Sequence, residues 1–112
     1  MTSNYFTINR DAGTAADGVD TTRVNVSGEI DLSARDELTS TLADIMEIGG
    51  NAQIIVDLDH VSFIDCTAIG VIVSGHHAAE QAGIRLRLAN AHDVVQRIFD
   101  ILDLIYLFHP GG

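Results

Sequence analysis

The sequence contains no lysine and has only one cysteine and one proline. Its six basic residues, all of them arginines, stand against 16 acidic residues, which gives a net charge of −10 at pH 7. Nucleic-acid backbones and anionic membranes recruit basic patches, so neither is an expected partner. A single cysteine cannot form an intramolecular disulfide, and this favours a reducing compartment.

Long apolar segments are also missing. The longest apolar runs are far too short to span a bilayer, and the first residues, MTSNYFTINRD, lack the charged head and apolar core of a signal peptide. With 112 residues, 46% of them hydrophobic, the chain has room for one hydrophobic core. We therefore expect one acidic, cytoplasmic domain over residues 1–112, ordered from about residue 4 to residue 108, followed by a short tail that contains Pro110.

Strand and helix patterns alternate along the chain. Alternating apolar residues predict strands at Tyr5–Ile8 and Arg23–Gly28, which we expect to pair antiparallel across a long turn from Asp11 to Thr22. A run of apolar residues predicts a strand covered on both faces at Ala52–Leu58, and a clean alternation predicts another at Ile84–Ala89. The fold class is therefore α/β, a small mixed sheet with flanking helices.

Two helices follow from apolar spacing and capping signals. One is predicted to begin at Ser33, with Ser33 and Asp36 as a capping box, and to end at Gly49–Gly50. Its inner stripe would consist of Leu38, Leu42, Ile45 and Ile48. Asn90 is predicted to cap the last helix, after which Ile105–Phe108 is expected to add a short closing strand. The inner side of that last helix would carry Val94, Val95, Ile98, Ile101 and Leu102.

The segment VSFIDCTAIGVIV, residues 61–73, places an acid, a thiol and a hydroxyl side by side within an apolar stretch. A further helix is predicted from Cys66 to Gln81, with Asp65 as its N-cap and Gly83 as its C-terminal stop. The first-turn amides would point outward, where an added phosphate is favoured. Helix capping alone is enough to explain Asp65.

Enzymatic and metal-binding interpretations have little support in these residues. Cys66 lacks a positioned base, and the neighbouring Asp65 opposes a thiolate, so we expect a small, semi-buried cysteine. A phosphate-binding loop, a serine elbow and a C-x-x-C pair are absent from the sequence. We expect no enzyme activity, no cofactor and no metal site. Asp57 and Asp59 have no third carboxylate at a fixed spacing that would complete a metal site. The histidines also lack metal-site spacing and are expected at the surface or its boundary: His60, His76, His77, His92 and His109.

Four motifs in order resemble the STAS domain of anti-sigma-factor antagonists. They are GEID at 28–31, IIVDLDHVSFID at 54–65, CTAIGVIV at 66–73 and LRLANAHDVVQRIFDILDLIYLF at 86–108, and together they run over nearly the whole chain. The resemblance implies a small mixed sheet flanked by helices. It also implies a protein that binds a partner which is both an anti-sigma factor and a serine kinase. Binding frees the sigma factor, and phosphorylation of the antagonist reverses the binding.

Position by position, the resemblance places Asp65 on the family's aspartate, Cys66 on the phosphorylated residue, Thr67 on the next hydroxyl residue and Ala68 on a glycine. Asp31 corresponds to an acid near the same loop. The resemblance thus implies a partner-binding set of Asp31, Asp65, Cys66, Thr67, Ala68 and Ile69.

A thiol is not a substrate for ordinary serine/threonine phosphorylation, which leaves three alternatives for the switch. The protein binds constitutively, Thr67 takes the phosphate, or oxidation of Cys66 supplies the negative charge. The alternative function within the same family is an accessory subunit of a lipid-transport ATPase or of a stress-signalling complex.

Overall fold

The computed structural model describes residues 6–14 and 18–108. The elements, in chain order, are β1 (Phe6–Thr14), β2 (Asp20–Ile30), α1 (Arg35–Ile48), β3 (Gln53–Ile64), α2 (Cys66–Gln81), β4 (Arg85–Ala89) and α3 (Asp93–Ile101). Short 3-10 turns lie at Leu32–Ala34 and Ile105–Phe108. The predicted α/β alternation is confirmed. Within these described residues, no helix is both long and apolar enough to cross a membrane.

The strands form one mixed sheet in the order β1-β2-β3-β4. β1 and β2 are antiparallel, as predicted, whereas β3 is parallel to both β2 and β4. Parallel neighbours require a crossover, and α1 and α2 provide the two that are needed. The sheet therefore places the carboxyl ends of β2 and β3 side by side.

The opening pair is longer than predicted. Its ladder continues from Asp11, opposite Arg23, to Thr14, opposite Asp20. Most of the predicted turn from Asp11 to Thr22 is therefore strand, because backbone pairing continues through residues whose composition is typical of turns. Tyr5 and residues 15–17 lie outside the described residues, as do His109 and the predicted tail.

One cluster of buried apolar side chains joins the sheet to the helices. Its members include Val24, Val26, Ile54, Val56, Leu86 and Leu88 from the strands and Leu38, Leu42, Ile45, Ile72, Val95 and Phe99 from the helices. Ile55 is only 2% exposed but lies outside this cluster, in register between Arg23 and Arg87. The helices therefore cover one face of the sheet, and the aliphatic stems of arginines are available to cover Ile55 on the other.

The start of α1 differs from the prediction. The capping box of Ser33 and Asp36 is wrong, because Ser33 belongs to a 3-10 turn and α1 begins only at Arg35. The acid that caps this turn is Asp31, whose carboxylate accepts a hydrogen bond from the Ser33 amide at 2.9 Å. Ile48 is 75% exposed instead of buried, since it lies about 80° around the helix from Leu38.

The last helix also differs. His92, and not Asn90, is the N-cap residue of α3, because the backbone at Asn90 is left-handed (φ 61°) whereas that at His92 is extended (φ −122°, ψ 152°), as is usual for an N-cap. The predicted inner side is wrong for three positions: Val94, Ile101 and Leu102 are 59%, 74% and 45% exposed. The buried line instead consists of Val95 and Phe99, which are 1% and 0% exposed and one turn apart, as expected for one helix face.

The predicted closing strand at Ile105–Phe108 is wrong, since these residues form a 3-10 turn. Leu107 is fully buried, and the ring of Phe108 packs edge-on against that of Phe99 at a centroid distance of 5.6 Å. The apolar residues of this segment thus pack onto the core through a helical turn, not through strand pairing.

Candidate functional site

The predicted partner-binding residues lie where β2 and β3 end. Ile30 pairs with Ile64 in parallel register, so the next residues, Asp31 and Asp65, leave the sheet at the same edge. The Asp65 amide donates a hydrogen bond to the Ile30 carbonyl oxygen at 3.0 Å, which extends the pairing to the aspartate itself. Two acids that are far apart in the sequence therefore begin the two neighbouring loops.

Asp65 caps α2 as predicted. Its backbone is extended (φ −103°, ψ 175°), and its carboxylate accepts a hydrogen bond from the Ala68 amide at 3.0 Å. Its carbonyl oxygen accepts the first helical hydrogen bond, from the Ile69 amide, also at 3.0 Å. The helix runs from Cys66 to Gln81, and Gly83 with φ 76° follows its end, as predicted. These contacts fix the direction in which the first turn of α2 leaves the sheet.

Asp31 makes a similar local cap on the neighbouring loop. Its carboxylate accepts hydrogen bonds from both the hydroxyl and the amide of Ser33. These bonds favour the ionised form, and they lower the pKa of Asp31 below its ordinary value of 3.8. The loop after β2 therefore holds a carboxylate that stays charged through the physiological pH range.

The side chains of this region differ sharply in exposure. Cys66 is exposed, so the prediction of a semi-buried cysteine is wrong: the first position of α2 faces solvent at the rim of the sheet. Thr67 is half-buried, whereas Ala68 and Ile69 are 0% and 4% exposed and belong to the core. The accessible side chains are Asp31, Asp65, Cys66 and Thr67, a set that we call the corner.

Two apolar residues flank the corner and were not predicted as part of it. Leu32 follows Asp31 and is 59% exposed, and Phe63 precedes Asp65 by two residues and is 44% exposed. A register shift between Gly28 and Glu29 disturbs the alternation of β3, which leaves Phe63 outside the core. The signal available in the sequence was the run VSFI, which fits no strict strand alternation. Exposed apolar groups beside charges are typical of protein interfaces.

The remaining acids and histidines are engaged elsewhere or exposed. The Asp57 carboxylate accepts a hydrogen bond from Arg23 at 2.6 Å, and His92 and Asp59 share one at 2.5 Å. Among residues 6–14 and 18–108, no group of three or more His, Cys, Asp or Glu side chains is placed to hold a metal ion. The histidines within these ranges lie at the surface or its boundary, as predicted: His60, His76, His77 and His92.

Replacing Asp65 with alanine should lower the free energy of unfolding by about 0.5–2 kcal/mol, because the Ala68 amide loses its acceptor. Asp65→Asn should retain most of the stability, since asparagine is an equally good N-cap. Urea unfolding measures both changes. Asp44→Ala, at an exposed position in α1, is the control and should be nearly neutral. Equal stability of Asp65→Ala and the native protein would contradict the capping role.

Replacing Ser33 with alanine should raise the pKa of Asp31 toward 3.8, because the hydroxyl bond that contributes most to the lowering is removed. A carboxyl group whose pKa is lowered on folding favours the folded state above its unfolded pKa, and this contribution is lost as the pH falls through the folded value. The variant should therefore be less stable than the native protein above about pH 4, and this difference should fade as the pH falls further. NMR titration of the carboxyl carbons measures the change in the pKa of Asp31. The pKa of Asp59, lowered by its hydrogen bond to His92, should not move.

Comparison with known proteins places this geometry in a family. The family model of the STAS domain matches residues 14–110. The anti-sigma-B factor antagonist of Bacillus subtilis is 34% identical over 82 residues, which cover 73% of this chain and 73% of the relative. The antagonist of the same name from Staphylococcus aureus is 33% identical over 86 residues, which cover 77% of this chain and 79% of the relative.

Solved structures agree on the fold. The anti-sigma factor antagonist SpoIIAA in its unphosphorylated form superposes with a TM-score of 0.74 at 19% identity, over 89% of this chain and 85% of SpoIIAA. The phosphorylated form of the Bacillus protein SpoIIAA gives a TM-score of 0.67 at 18% identity, over 89% of this chain and 88% of SpoIIAA. With a mixed sheet, three helices on one face and a family match over most of its length, the chain belongs to the STAS domain family.

Proposed function

We propose that this protein is an anti-sigma factor antagonist: it binds a kinase-type anti-sigma factor through the corner and so releases a sigma factor for transcription. Residues 1–112 would act as a single cytoplasmic STAS module that has no enzyme activity of its own. Support comes from the relatives in Bacillus subtilis and Staphylococcus aureus, both named as anti-sigma-B factor antagonists. Each is matched over about three quarters of both chains.

The geometry of the corner is the observation that carries the proposal. Cys66 is exposed at the first position of α2, next to a capping carboxylate. The apolar residues Leu32 and Phe63, which lie close to Asp31 and Asp65 in the sequence, are exposed as well. A partner can cover the apolar residues and read the charges of Asp31 and Asp65 together. No general base is needed on this chain, because the transfer of phosphate would be the chemistry of the partner.

Electrostatics explain how such a corner would be switched off. A phosphate carries a charge of about −1.5 to −2, which an exposed helix N-terminus tolerates but which is costly once a partner covers it. The net charge of −10 adds to this repulsion against an acidic partner surface. At residue 66 the native protein offers a thiol, so we propose that ordinary phosphorylation does not release it there. Thr67, half-buried at the next position, and oxidation of the exposed Cys66 thiol are the two remaining routes to a switch.

Affinity capture with the tagged protein, followed by mass spectrometry, tests the partner. The expected result is a retained protein with a kinase-type ATPase domain, which also binds a sigma factor when purified. Adding this chain to the purified sigma complex should then displace the sigma factor. Asp65→Ala should displace it less well, whereas the surface control Asp44→Ala should match the native protein. Retention of a transporter permease, without a sigma-binding protein, would favour the accessory-subunit alternative instead.

A further inference from the structure

A groove with a volume of about 830 Å³ runs between α1 and α2. Leu42, Met46 and Val71 line it with apolar surface. Along α2 and its C-cap residue the lining extends from Thr67 to Ala82. This stretch corresponds to about 22 Å, or four helical turns, at the rise of an α-helix. The groove thus has the length and the apolar lining that suit a short helix.

Two glycines of α2 line this groove, and the space beside each of them differs. At Gly75 an added Cβ would lie 2.9 Å from the Leu42 side chain, so this glycine is explained by the close approach of α1. At Gly70 an added Cβ would meet nothing within 4 Å. Glycine inside a helix is unfavourable relative to alanine, and no contact of the described chain requires it at position 70. The open space above Gly70 belongs to the groove and leaves room for a group from outside.

Of the two helices that border the groove, α1 is strongly acidic, whereas α2 carries one acid, Glu80, and no arginine. The only arginine on them, Arg35, lies 3.3 Å from Asp36, to which it is paired. Glu47 lines the groove directly. The exposed acids on these helices are Asp36, Glu37, Asp44, Glu47 and Glu80. An occupant that carries positive charge is therefore favoured over a neutral or acidic one.

We propose that this groove binds a basic amphipathic helix of a protein partner, about four turns long. Its apolar side would pack on Leu42, Met46 and Val71, and its lysines or arginines would lie over the acidic rim of α1. Helix-in-groove binding uses an apolar floor, which complementary charge can reinforce. Here Leu42, Met46 and Val71 supply apolar lining, and Glu47 with the other acids of α1 supplies the negative charge. This surface adjoins the corner at Thr67, and the proposal does not depend on the proposed anti-sigma function.

A labelled peptide of about 16 residues made of leucine, alanine and lysine, with one apolar face, provides the probe. Fluorescence anisotropy should show saturable binding to the native protein. A scrambled peptide of the same composition, and a peptide with glutamate in place of lysine, should bind at least about tenfold more weakly. NMR shifts caused by the first peptide should centre on the methyl groups of Leu42, Met46 and Val71.

Matched variants localise the binding. Ala78→Arg adds bulk and positive charge to the groove wall and should weaken peptide binding at least about tenfold. His77→Arg, at the next position but outside the lining residues, should bind within about twofold of the native protein. Gly70→Leu should fill the open space and weaken binding without lowering the melting temperature. If circular dichroism shows the Ala78→Arg variant to be unfolded, Ser74→Arg, which also changes a lining residue, is used in its place.

Three results would overturn the proposal. The first is equal binding of the scrambled peptide, which would reduce the effect to general charge attraction. The second is native affinity in both Ala78→Arg and Gly70→Leu, which would place the peptide elsewhere. The third is a dimer in sedimentation equilibrium that Ala78→Arg dissociates, which would put a second copy of this chain in the groove. None of these measurements uses an anti-sigma factor, so their failure is distinct from failure of the proposed function.

Discussion

Replacing Cys66 with aspartate should weaken binding to the anti-sigma factor by at least about a hundredfold. Residue 66 is exposed in the free protein, and the complex would cover it, which leaves a buried charge without a partner. Such a charge costs about 3–5 kcal/mol. Cys66→Asn is the matched control, since it has nearly the same shape without the charge, and should bind within a fewfold of the native protein. Calorimetric titration compares the three proteins after thermal unfolding has shown equal stability.

Cys66→Ser tests the same position by restoring a hydroxyl group that can accept phosphate. It should bind the proposed kinase-type anti-sigma factor like the native protein, accept phosphate at residue 66 from that partner and ATP, and then dissociate. In the native protein residue 66 should remain unmodified under the same conditions. Intact-mass measurement with fragment mapping distinguishes the outcomes. Phosphate on Thr67 of the native protein would show that the switch has moved by one residue. A serine variant that binds the kinase but gains no phosphate would contradict the proposed role of this position.

Phe99→Ala should lower the free energy of unfolding by about 3–5 kcal/mol, because it leaves a cavity where a fully buried ring packs against Phe108. Ile101→Ala lies on the same helix but at a side chain that is 74% exposed, and it should change stability by less than about 0.5 kcal/mol. Urea unfolding measures both variants. A larger loss for Ile101→Ala would instead support the inner side that the sequence pattern predicted for α3.

Local signals in the sequence were sufficient for much of the fold and for the centre of the site. Asp65, Cys66 to Gln81 and Gly83 were predicted as cap, helix and stop, and the structure confirms all three. A cap and the amides that it satisfies are only three residues apart, so the whole interaction is encoded in one short segment. The strand at 85–89 was equally clear, since its two arginines alternate with buried leucines.

Local sequence signals did not predict where α1 begins or which face of α3 is buried. Ser33 and Asp36 match a capping box, but the carboxylate of Asp31 binds the Ser33 amide first and the helix starts later. In α3 the apolar residues span a sector of about 160° around the helix axis, which is wider than the buried line, so their spacing does not fix which part of the sector faces the core. Which face is buried depends on where α3 meets β3 and where the ring of Phe99 meets Phe108 of the 3-10 turn, and these are tertiary properties.

The sequence by itself determined where most strands and helices lie, and it placed Asp65 at the start of α2, because these features depend on neighbours within one or two turns. It did not determine the extent of the β1–β2 pair or the 3-10 turn at 105–108. Only the tertiary structure decided that Asp31 lies beside Asp65, since this follows from the parallel register of Ile30 with Ile64. Tertiary structure also decided that Phe63 faces outward, through a register shift between β2 and β3 that no local pattern encodes. Pairing register and packing depend on contacts between residues that are far apart in the sequence, so they are fixed only when the sheet is assembled.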